Sequence, residues 1–384
     1  MEEWKEYKLE ELSIGKGSYG IGAAAVPYDS SLYTYLRITD INDDGSLNKS
    51  GLMSVNDSDA DKYLLKPNDI VFARTGNSTG RSYFYDGSDG YLVYAGFLIK
   101  FSLNPKIVNP RILKYYTHSS IYYDWVRSFD TGGTRGNINA KTYGNMPIVL
   151  PPKTIQDKIV SILKSLDDKI ENNRKINENL EQQAQALFKS WLSTCNEEVT
   201  IGDLSLNITD YTPCVQKQVV LINSSDVTEG LFMHHDLSEN KNLKGHFKKR
   251  FKKGDILYSQ VRPRNRHWGY CTFDADNYLA STQLMVIRNR QEVIPSILLY
   301  QYIIDKNVWL DYTLKTETRS GTFPQGNYED LSSIKVPFNE DVHTISNNLE
   351  SIYSLVFNND LESRRLSHLR DTLLPKLMSG EIKL

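Results

Sequence analysis

The residues of this sequence best suited to chemistry are basic and lie close together in its second half. Lysine and arginine dominate residues 244–253, where aromatic residues are interleaved, and a second basic run follows at 262–268. Such clusters neutralise phosphates and release counterions, which gives a salt-sensitive affinity for nucleic acid. A solvated basic surface is the alternative interpretation. The interleaved aromatic residues favour nucleic-acid contact.

Several side chains in and beside these runs suit the recognition of bases as well as phosphates. Arginine makes paired hydrogen bonds to guanine, and glutamine or asparagine makes them to adenine. The DNA contacts predicted for the second half are Lys248, Lys249, Gln260, Arg262, Arg264, Asn265 and Arg266.

A polar segment with glycines occupies the matching place in the first half, at residues 74–81. Small residues and glycine let backbone N–H groups approach phosphates, and an arginine stands at each end of the segment. Its alignment with residues 260–267 indicates that both are recognition loops. The contacts predicted here are Arg74, Thr75, Asn77 and Arg81.

A second pair of segments, 131–137 and 319–325, precedes the strand that leads to each of two long helices. One interpretation is a DNA-facing loop, and the other is a tight turn that needs glycine for its backbone geometry. The sequence does not decide between them. The residues that the first interpretation makes DNA contacts are Arg135, Asn137, Thr322 and Gln325.

The sequence elements that position these loops occur twice along the chain. Residues 66–72 match residues 252–258 at an interval of 186 positions, and residues 148–151 match residues 334–337. The shared landmarks repeat while the residues between them differ. We therefore expect two halves with one mixed α/β fold that differ in what they contact. One helix is predicted within each half, at about 110–127 and near 295–310.

Two long helices, at 153–192 and 340–378, repeat at the same interval. Their apolar residues recur mostly every three or four positions, which is the spacing of a coiled-coil seam. An antiparallel pair would place Asn173 near Asn359, where polar side chains fix the register. The alternative is two ordinary amphipathic helices, each packed on its own domain. The predicted seam residues are Ile159, Ile162, Leu166, Ile170, Leu180, Leu187, Ile345, Leu349, Ile352, Val356, Leu369 and Leu373.

Composition and motifs predict a cytoplasmic protein without a catalytic site, metal or cofactor of its own. The 384 residues carry a net charge of −2, three widely spaced cysteines and no apolar run that could span a membrane. The Gly-x-Gly-x-x-Gly pattern at 15–20 lacks the strand-to-helix context of a dinucleotide site. His234 and His235 lack a third metal ligand.

The duplicated pattern resembles the specificity subunit of type I restriction–modification systems. Pro151-Pro152 followed by glutamine, isoleucine, leucine and aspartate, with Leu187-Phe188 at the end, looks like the first conserved helical region of that family. The resemblance covers nearly the whole chain. It implies an α+β fold with a pseudo-two-fold repeat, in which two similar target-recognition domains are separated by spacer helices forming an antiparallel coiled coil. The implied boundaries are 1–152 and 196–338 for the domains and 153–195 and 339–384 for the helices.

The resemblance also implies a function and partners. Each domain would read one half of a split sequence in double-stranded DNA, and the helices would set the gap. Two methyltransferase subunits, which bind S-adenosylmethionine, would dock on the seam helices. Two motor-nuclease subunits, which use ATP and Mg, can join them. One departure is that Ile155-Gln156 has no clear counterpart in the second helix, where Asp341-Val342 stands.

Two other classes stay open at the level of sequence. One is a coiled-coil scaffold with no DNA role, which salt-dependent DNA affinity would exclude. The other is a methyltransferase or nuclease that acts alone, which would bind S-adenosylmethionine as an isolated chain.

Overall fold

The chain divides into two compact units, and each includes part of both long helices. The first unit comprises Met1–Glu171 and Ser363–Leu384, and the second comprises Asn172–Glu362. The four-segment division expected from the sequence stays a prediction. The computed structural model describes residues 4–129, 136–243, 245–318 and 324–384.

The first unit is a mixed α/β structure. Its two larger sheets have the strand orders β2-β9-β6-β7 and β3-β5-β4-β8, and β1 pairs with β10. The strands β1 to β10 are Lys5–Lys8, Ser18–Tyr19, Ala25–Pro27, Tyr33–Leu36, Met53–Val55, Asp69–Ala73, Ser82–Tyr85, Leu92–Tyr94, Leu98–Ser102 and Pro147–Leu150. The helices α1 to α3 are Pro110–Tyr116, Ser120–Arg127 and Ala140–Gly144, and the long helix α4 is Lys153–Leu192.

The second unit repeats one of these four-stranded sheets in full and three strands of the other, whose fourth strand lies on the opposite edge. Its sheets have the orders β12-β21-β18-β19 and β16-β13-β20-β17, β11 pairs with β22, and β14 pairs with β15. The strands β11 to β22 are Glu197–Thr200, Ser205–Asn207, Gln218–Ile222, Val227–Thr228, Leu231–Phe232, Leu237–Glu239, Phe247–Lys249, Ile256–Ser259, Trp268–Tyr270, Tyr278–Ser281, Leu284–Asn289 and Lys335–Phe338. The helices α5 to α9 are Ile201–Leu204, Ser296–Ile304, Lys306–Glu317, Tyr328–Ser332 and His343–Met378.

The repeated landmark is a turn that leads into the central strand of each unit. The buried carboxylate of Asp69 accepts a hydrogen bond of 2.8 Å from the backbone N–H of Lys66, and Asp255 accepts one of 2.8 Å from Lys252. The residue before each aspartate is left-handed, with a φ of 78° at Asn68 and 87° at Gly254. Asparagine and glycine are the residues that tolerate this conformation best, so two different sequences form one turn.

Two helices that the sequence predicts as continuous are each divided by a capping residue. The predicted helix at 110–127 is interrupted where Ser119 accepts a hydrogen bond from the backbone of Tyr122 and starts α2. The one predicted at 295–310 is interrupted at Asp305, which accepts a bond of 2.8 Å from Asn307 N and starts α7. A side-chain oxygen at this position satisfies an otherwise unpaired helix N–H, which stabilises a new start.

The long helices pack against each other within each unit. In the second unit, Asn173 Nδ2 lies 3.3 Å from Asn359 O, and Asn177 Nδ2 lies 3.0 Å from Val356 O. Trp191 Nε1 lies 3.3 Å from Asp341 O. Partner numbers fall as helix α4 advances, so the pair is antiparallel. The predicted pairing and the predicted contact of Asn173 with Asn359 are confirmed.

In the first unit the same two helices are joined by an ion pair. The partly buried carboxylate of Asp167 on α4 lies 2.8 Å from Lys114 Nζ and 3.1 Å from Arg370 Nη1 on α9. Burial alone would raise the pKa of Asp167, but the two cations outweigh it and hold this pKa below its ordinary value. Gln156 is buried here and accepts a hydrogen bond from Asn109 N, a structural role that Val342 cannot repeat in the second unit.

The predicted seam residues differ in burial. Ile159, Ile345, Leu349 and Val356 are buried, whereas Leu187 is 38% and Leu369 45% exposed, which a continuous heptad seam would not allow. The helical repeat drifts against a strict heptad, so other positions turn inward. The residues that are partly buried are Ile162, Leu166, Ile170, Leu180, Ile352 and Leu373. The buried helix residues that the spacing did not single out include Val160, Leu163, Phe188 and Tyr353.

Candidate nucleic-acid interface

The two candidate loops of the second half are joined by backbone pairing. Val261 and Gln325 form an antiparallel bridge, with Gly326 N donating to Gln260 O at 2.8 Å. The N–H of Arg262 donates to Pro324 O at 3.0 Å. Segments that are far apart in sequence therefore form one surface in this unit.

The first half joins its two loops in the same way. Thr75 and Asn137 form an antiparallel bridge, and Ile138 N donates to Arg74 O at 2.9 Å. Asn77 and Asn137 are exposed. Each unit thus brings together the two segments that the sequence offers as contact loops. The predicted contacts Arg135 and Thr322 lie outside the described residues.

The loop at 260–267 is held in a strained backbone conformation. Arg262 and Arg266, with φ of 50° and 53°, are left-handed and flank a 3-10 turn, Pro263–Asn265. Residues other than glycine adopt this conformation at a cost of about 1–2 kcal/mol each. Trp309 stabilises the turn, because its Nε1 donates to Pro263 O at 3.1 Å. Strain of this kind is typical of functional loops.

The exposed arginines of this loop are already paired with carboxylates. Arg264 Nη2 donates to Glu317 Oε2 at 2.8 Å, and this pairing holds the pKa of the Glu317 carboxyl below its ordinary value. Arg266 Nη1 lies 3.1 Å from Glu229 Oε1, and its guanidinium lies 4.9 Å from the ring centre of Trp309. The fork of each guanidinium is thus oriented in the absence of DNA. Asn265 is exposed beside them.

The first unit positions its two arginines differently from each other. Arg81 Nη2 lies 2.7 Å from Asp43 Oδ1, and its Nη1 donates to Ile41 O at 3.0 Å. The guanidinium of Arg74 lies 5.1 Å from the ring centre of Tyr19. Tyr19 also accepts a hydrogen bond of 3.1 Å from Ala140 N, which ties it to the chain that follows the second loop.

Two neighbouring lysines of the basic stretch face opposite ways. Lys248 is exposed, with its Nζ 4.8 Å from the ring centre of Tyr211. Lys249 is buried and donates to Leu284 O at 2.6 Å and Thr282 O at 3.2 Å, and burial lowers its pKa. Strand β17 alternates the two faces, which a run of lysines in the sequence does not reveal. Lys249 is therefore left out of the proposed interface, as a correction to the sequence prediction.

The sequence prediction missed the acidic and aromatic residues that hold the arginines. These are Asp43, Glu229, Glu317, Tyr19 and Trp309. A signal for two of them was present, because Glu229 follows Asp43 by 186 residues, the interval of the repeat. Tyr19 and Trp309 carry no comparable signal.

The described part of the chain contains neither a group of side chains that could hold a metal ion nor a helix that could span a membrane. Within residues 4–129, 136–243, 245–318 and 324–384, no three histidine, cysteine or acidic side chains lie together where they could hold a metal ion. No helix within those ranges has the length and apolar character needed to span a bilayer.

Comparison with known proteins finds similar chains. Residues 1–182 match the family model described as the type I restriction modification DNA specificity domain. The first half of this chain is therefore similar to the specificity subunits of type I restriction–modification systems. The specificity subunit of the type I restriction enzyme HindI from Haemophilus influenzae is 37% identical over 143 residues, which are 36% of this chain and only 31% of that protein's length.

Two further relatives of the specificity-subunit family extend over more of the chain. The specificity subunit of the type I restriction enzyme MjaIX from Methanocaldococcus jannaschii is 21% identical over 306 residues, or 71% of this chain and 68% of that protein. The crystal structure of the type I restriction–modification S subunit from M. genitalium has a TM-score of 0.58 at 16% identity. The superposition covers 98% of this chain and 96% of the M. genitalium chain. The predicted α+β fold with two long helices is therefore confirmed, and this chain shares it with the S subunit from M. genitalium.

Proposed function

We propose that this chain is a specificity subunit of a type I restriction–modification system, which reads a double-stranded DNA target in two parts, one part with each repeated half. The observation that carries the proposal is the duplicated loop pair, bridged at Thr75 and Asn137 in one unit and at Val261 and Gln325 in the other. Polar and basic side chains cluster at both bridges. In this proposal the chain is a recognition subunit without catalysis of its own.

Phosphate contacts and base contacts fall to different residues in this proposal. Lys248, Arg264 and Arg266 are exposed and carry the positive charge that neutralises phosphates. Gln260, beside the bridge at Val261, and Asn265, the last residue of the 3-10 turn, suit adenine, whereas Arg262 suits guanine. In the first unit Arg74 and Arg81 supply the charge, and Thr75, Asn77 and Asn137 supply the polar contacts.

The long helices provide the docking surface for the partners. Leu187 and Leu369 are exposed on helices whose other predicted seam residues are buried or partly buried, which suits contact with apolar surfaces of another subunit. The proposed partners are two methyltransferase subunits, with two motor-nuclease subunits as further members. The methyltransferase subunits would bind S-adenosylmethionine, and the motor-nuclease subunits would use ATP and Mg. The complex would act in the cytoplasm.

The spacing of the two half-sites follows from groove geometry. If both units enter the major groove on one face of the duplex, the half-site centres lie about one helical turn apart, or roughly 34–36 Å. Sequencing of the methylated positions in cells with and without this chain tests the proposal. A motif split into two short parts supports it, and a single continuous motif contradicts it.

A scaffold without a DNA role is the competing function. Salt-dependent DNA binding by the wild-type chain, lost when Arg262, Arg264 and Arg266 are changed to alanine, would exclude it. Binding of S-adenosylmethionine by the isolated chain would instead favour a methyltransferase that acts alone.

A further inference from the structure

One acid–arginine pair is repeated at the candidate interface of both halves. Arg81 pairs with Asp43 at 2.7 Å, and Arg266 pairs with Glu229 at 3.1 Å. The two acids stand 186 residues apart, which is the interval of the duplication, and the two arginines stand 185 apart, one position short of it. The loops that carry the arginines, 74–81 and 260–267, have no identical residue at that interval. The pairs therefore persist where the contact residues have diverged.

Stability does not account for these pairs. The side chain of Asp43 is 86% exposed, that of Glu229 58% and that of Arg266 49%. Ion pairs this exposed contribute about 0–1 kcal/mol to folding, because water and salt screen them. The same weakness means that a competing anion can displace the carboxylate at little cost.

Both arginines keep a second support that does not involve the acid. Arg81 Nη1 donates to Ile41 O at 3.0 Å, and the guanidinium of Arg266 stacks 4.9 Å from the ring centre of Trp309. Loss of the carboxylate would leave each guanidinium in place with a free donor edge. A phosphate, which accepts the same forked hydrogen bonds as a carboxylate, fits that edge.

We propose that Asp43 and Glu229 are displaceable carboxylates, which occupy the guanidinium groups of Arg81 and Arg266 until a DNA phosphate replaces them. The inference rests on the proposed function, because it requires these loops to bind DNA. In each exchange the protein loses one ion pair and gains one phosphate contact. The two acids therefore lower the affinity of the chain for DNA of arbitrary sequence, which would otherwise compete with the target.

The test uses the full chain and a fluorescently labelled duplex of arbitrary sequence, titrated at several salt concentrations. Glu229→Gln keeps the size of the side chain and removes its charge. It should raise the affinity up to about fivefold, the equivalent of one exposed ion pair. The slope of log affinity against log salt should steepen by up to about 0.9, the value for one phosphate contact. Asp43→Asn should act in the same way through Arg81.

A double-mutant cycle separates exchange from a general effect of charge. In an Arg266→Gln background, Glu229→Gln should have no effect, because the guanidinium on which it acts is gone. An equal gain in that background would overturn the inference, since the acid would then merely repel DNA. An unchanged or reduced affinity of the single Glu229→Gln variant would overturn it as well. Failure of the wild-type chain to bind any duplex would instead overturn the proposed function, and this inference with it.

Discussion

The buried side-chain amide of Asn173 donates to the backbone carbonyl of Asn359, at 3.3 Å, across the interval of the repeat. The same amide donates to Glu362 Oε2 at 2.8 Å. A polar residue in an apolar seam costs stability, but it allows one register only, because any slip leaves these groups unpaired. The register of the two helices in this unit therefore depends on residues that a purely apolar seam would not need.

Replacement of Asn173 by alanine should lower the free energy of unfolding by about 1–3 kcal/mol, since a buried amide and its two partly buried acceptors lose their hydrogen bonds. Chemical denaturation measures this change. Asn172→Ala is the matched control, because Asn172 is exposed on the same helix and should shift stability by no more than about 0.5 kcal/mol. Equal effects of the two changes would contradict the role assigned to Asn173.

Lys248 and Lys249 are adjacent, but alanine substitution should affect DNA binding at Lys248 and stability at Lys249. Lys249→Ala removes the donor to two carbonyls and should destabilise the fold by about 1–3 kcal/mol. Lys248→Ala should leave the melting temperature unchanged and weaken DNA binding, with a salt slope shallower by about 0.9. Melting curves and salt titrations of both variants decide the matter. A stable Lys249→Ala variant with a large loss of DNA affinity would reverse the assignment.

Two glycines of the loop at 74–81 allow the cost of backbone strain to be measured apart from the cost of steric overlap. Gly76 and Gly80 both have positive φ, 76° and 88°, but a Cβ at Gly76 meets nothing within 4 Å, whereas one at Gly80 would lie 2.6 Å from Val126 Cγ1. Gly76→Ala should therefore cost about 1–2 kcal/mol. Gly80→Ala should cost more, by the overpacking of about 1–3 kcal/mol. Urea denaturation compares them, and equal costs would argue against the packing of α2 under this loop.

His118 predicts a dependence of stability on pH. Burial lowers its pKa from the ordinary value of 6.5, and its Nδ1 lies 2.7 Å from Lys114 O, near Arg370 and Asp44. The unfolded chain then binds a proton before the folded one does, so stability is complete above about pH 6.5 and falls as pH decreases toward the lowered pKa. His118→Gln should flatten this decline when denaturation midpoints are compared at about pH 8 and pH 5. Parallel declines in variant and wild type would remove His118 as the cause.

The sequence predicted the parts of this fold that depend on periodicity and on the repeat. Both long helices, their pairing at Asn173 and Asn359, and the repeated segments 66–72 and 252–258 could be predicted, because spacing and repetition record them directly. The breaks at Ser119 and Asp305 were not, since a capping serine or aspartate looks like any polar residue inside an amphipathic run.

The candidate interface was predicted less completely, for a different reason. Loop positions followed from the alignment of the halves, whereas the direction of each side chain depends on tertiary pairing. Lys249 turns inward because its strand alternates faces, and Arg264 is held by Glu317, 53 residues away. Neither relationship leaves a pattern in a single sequence.

The central claim is that each half reads its own part of the target. The most direct test is to sequence the methylated positions in cells that carry the chain with Gln260 and Asn265 both changed to alanine. The account predicts that the bases of one half-site are relaxed, while the other half-site and the gap between them stay as in the wild type. Relaxation of both half-sites together, or an unaltered motif with full methylation, would contradict it.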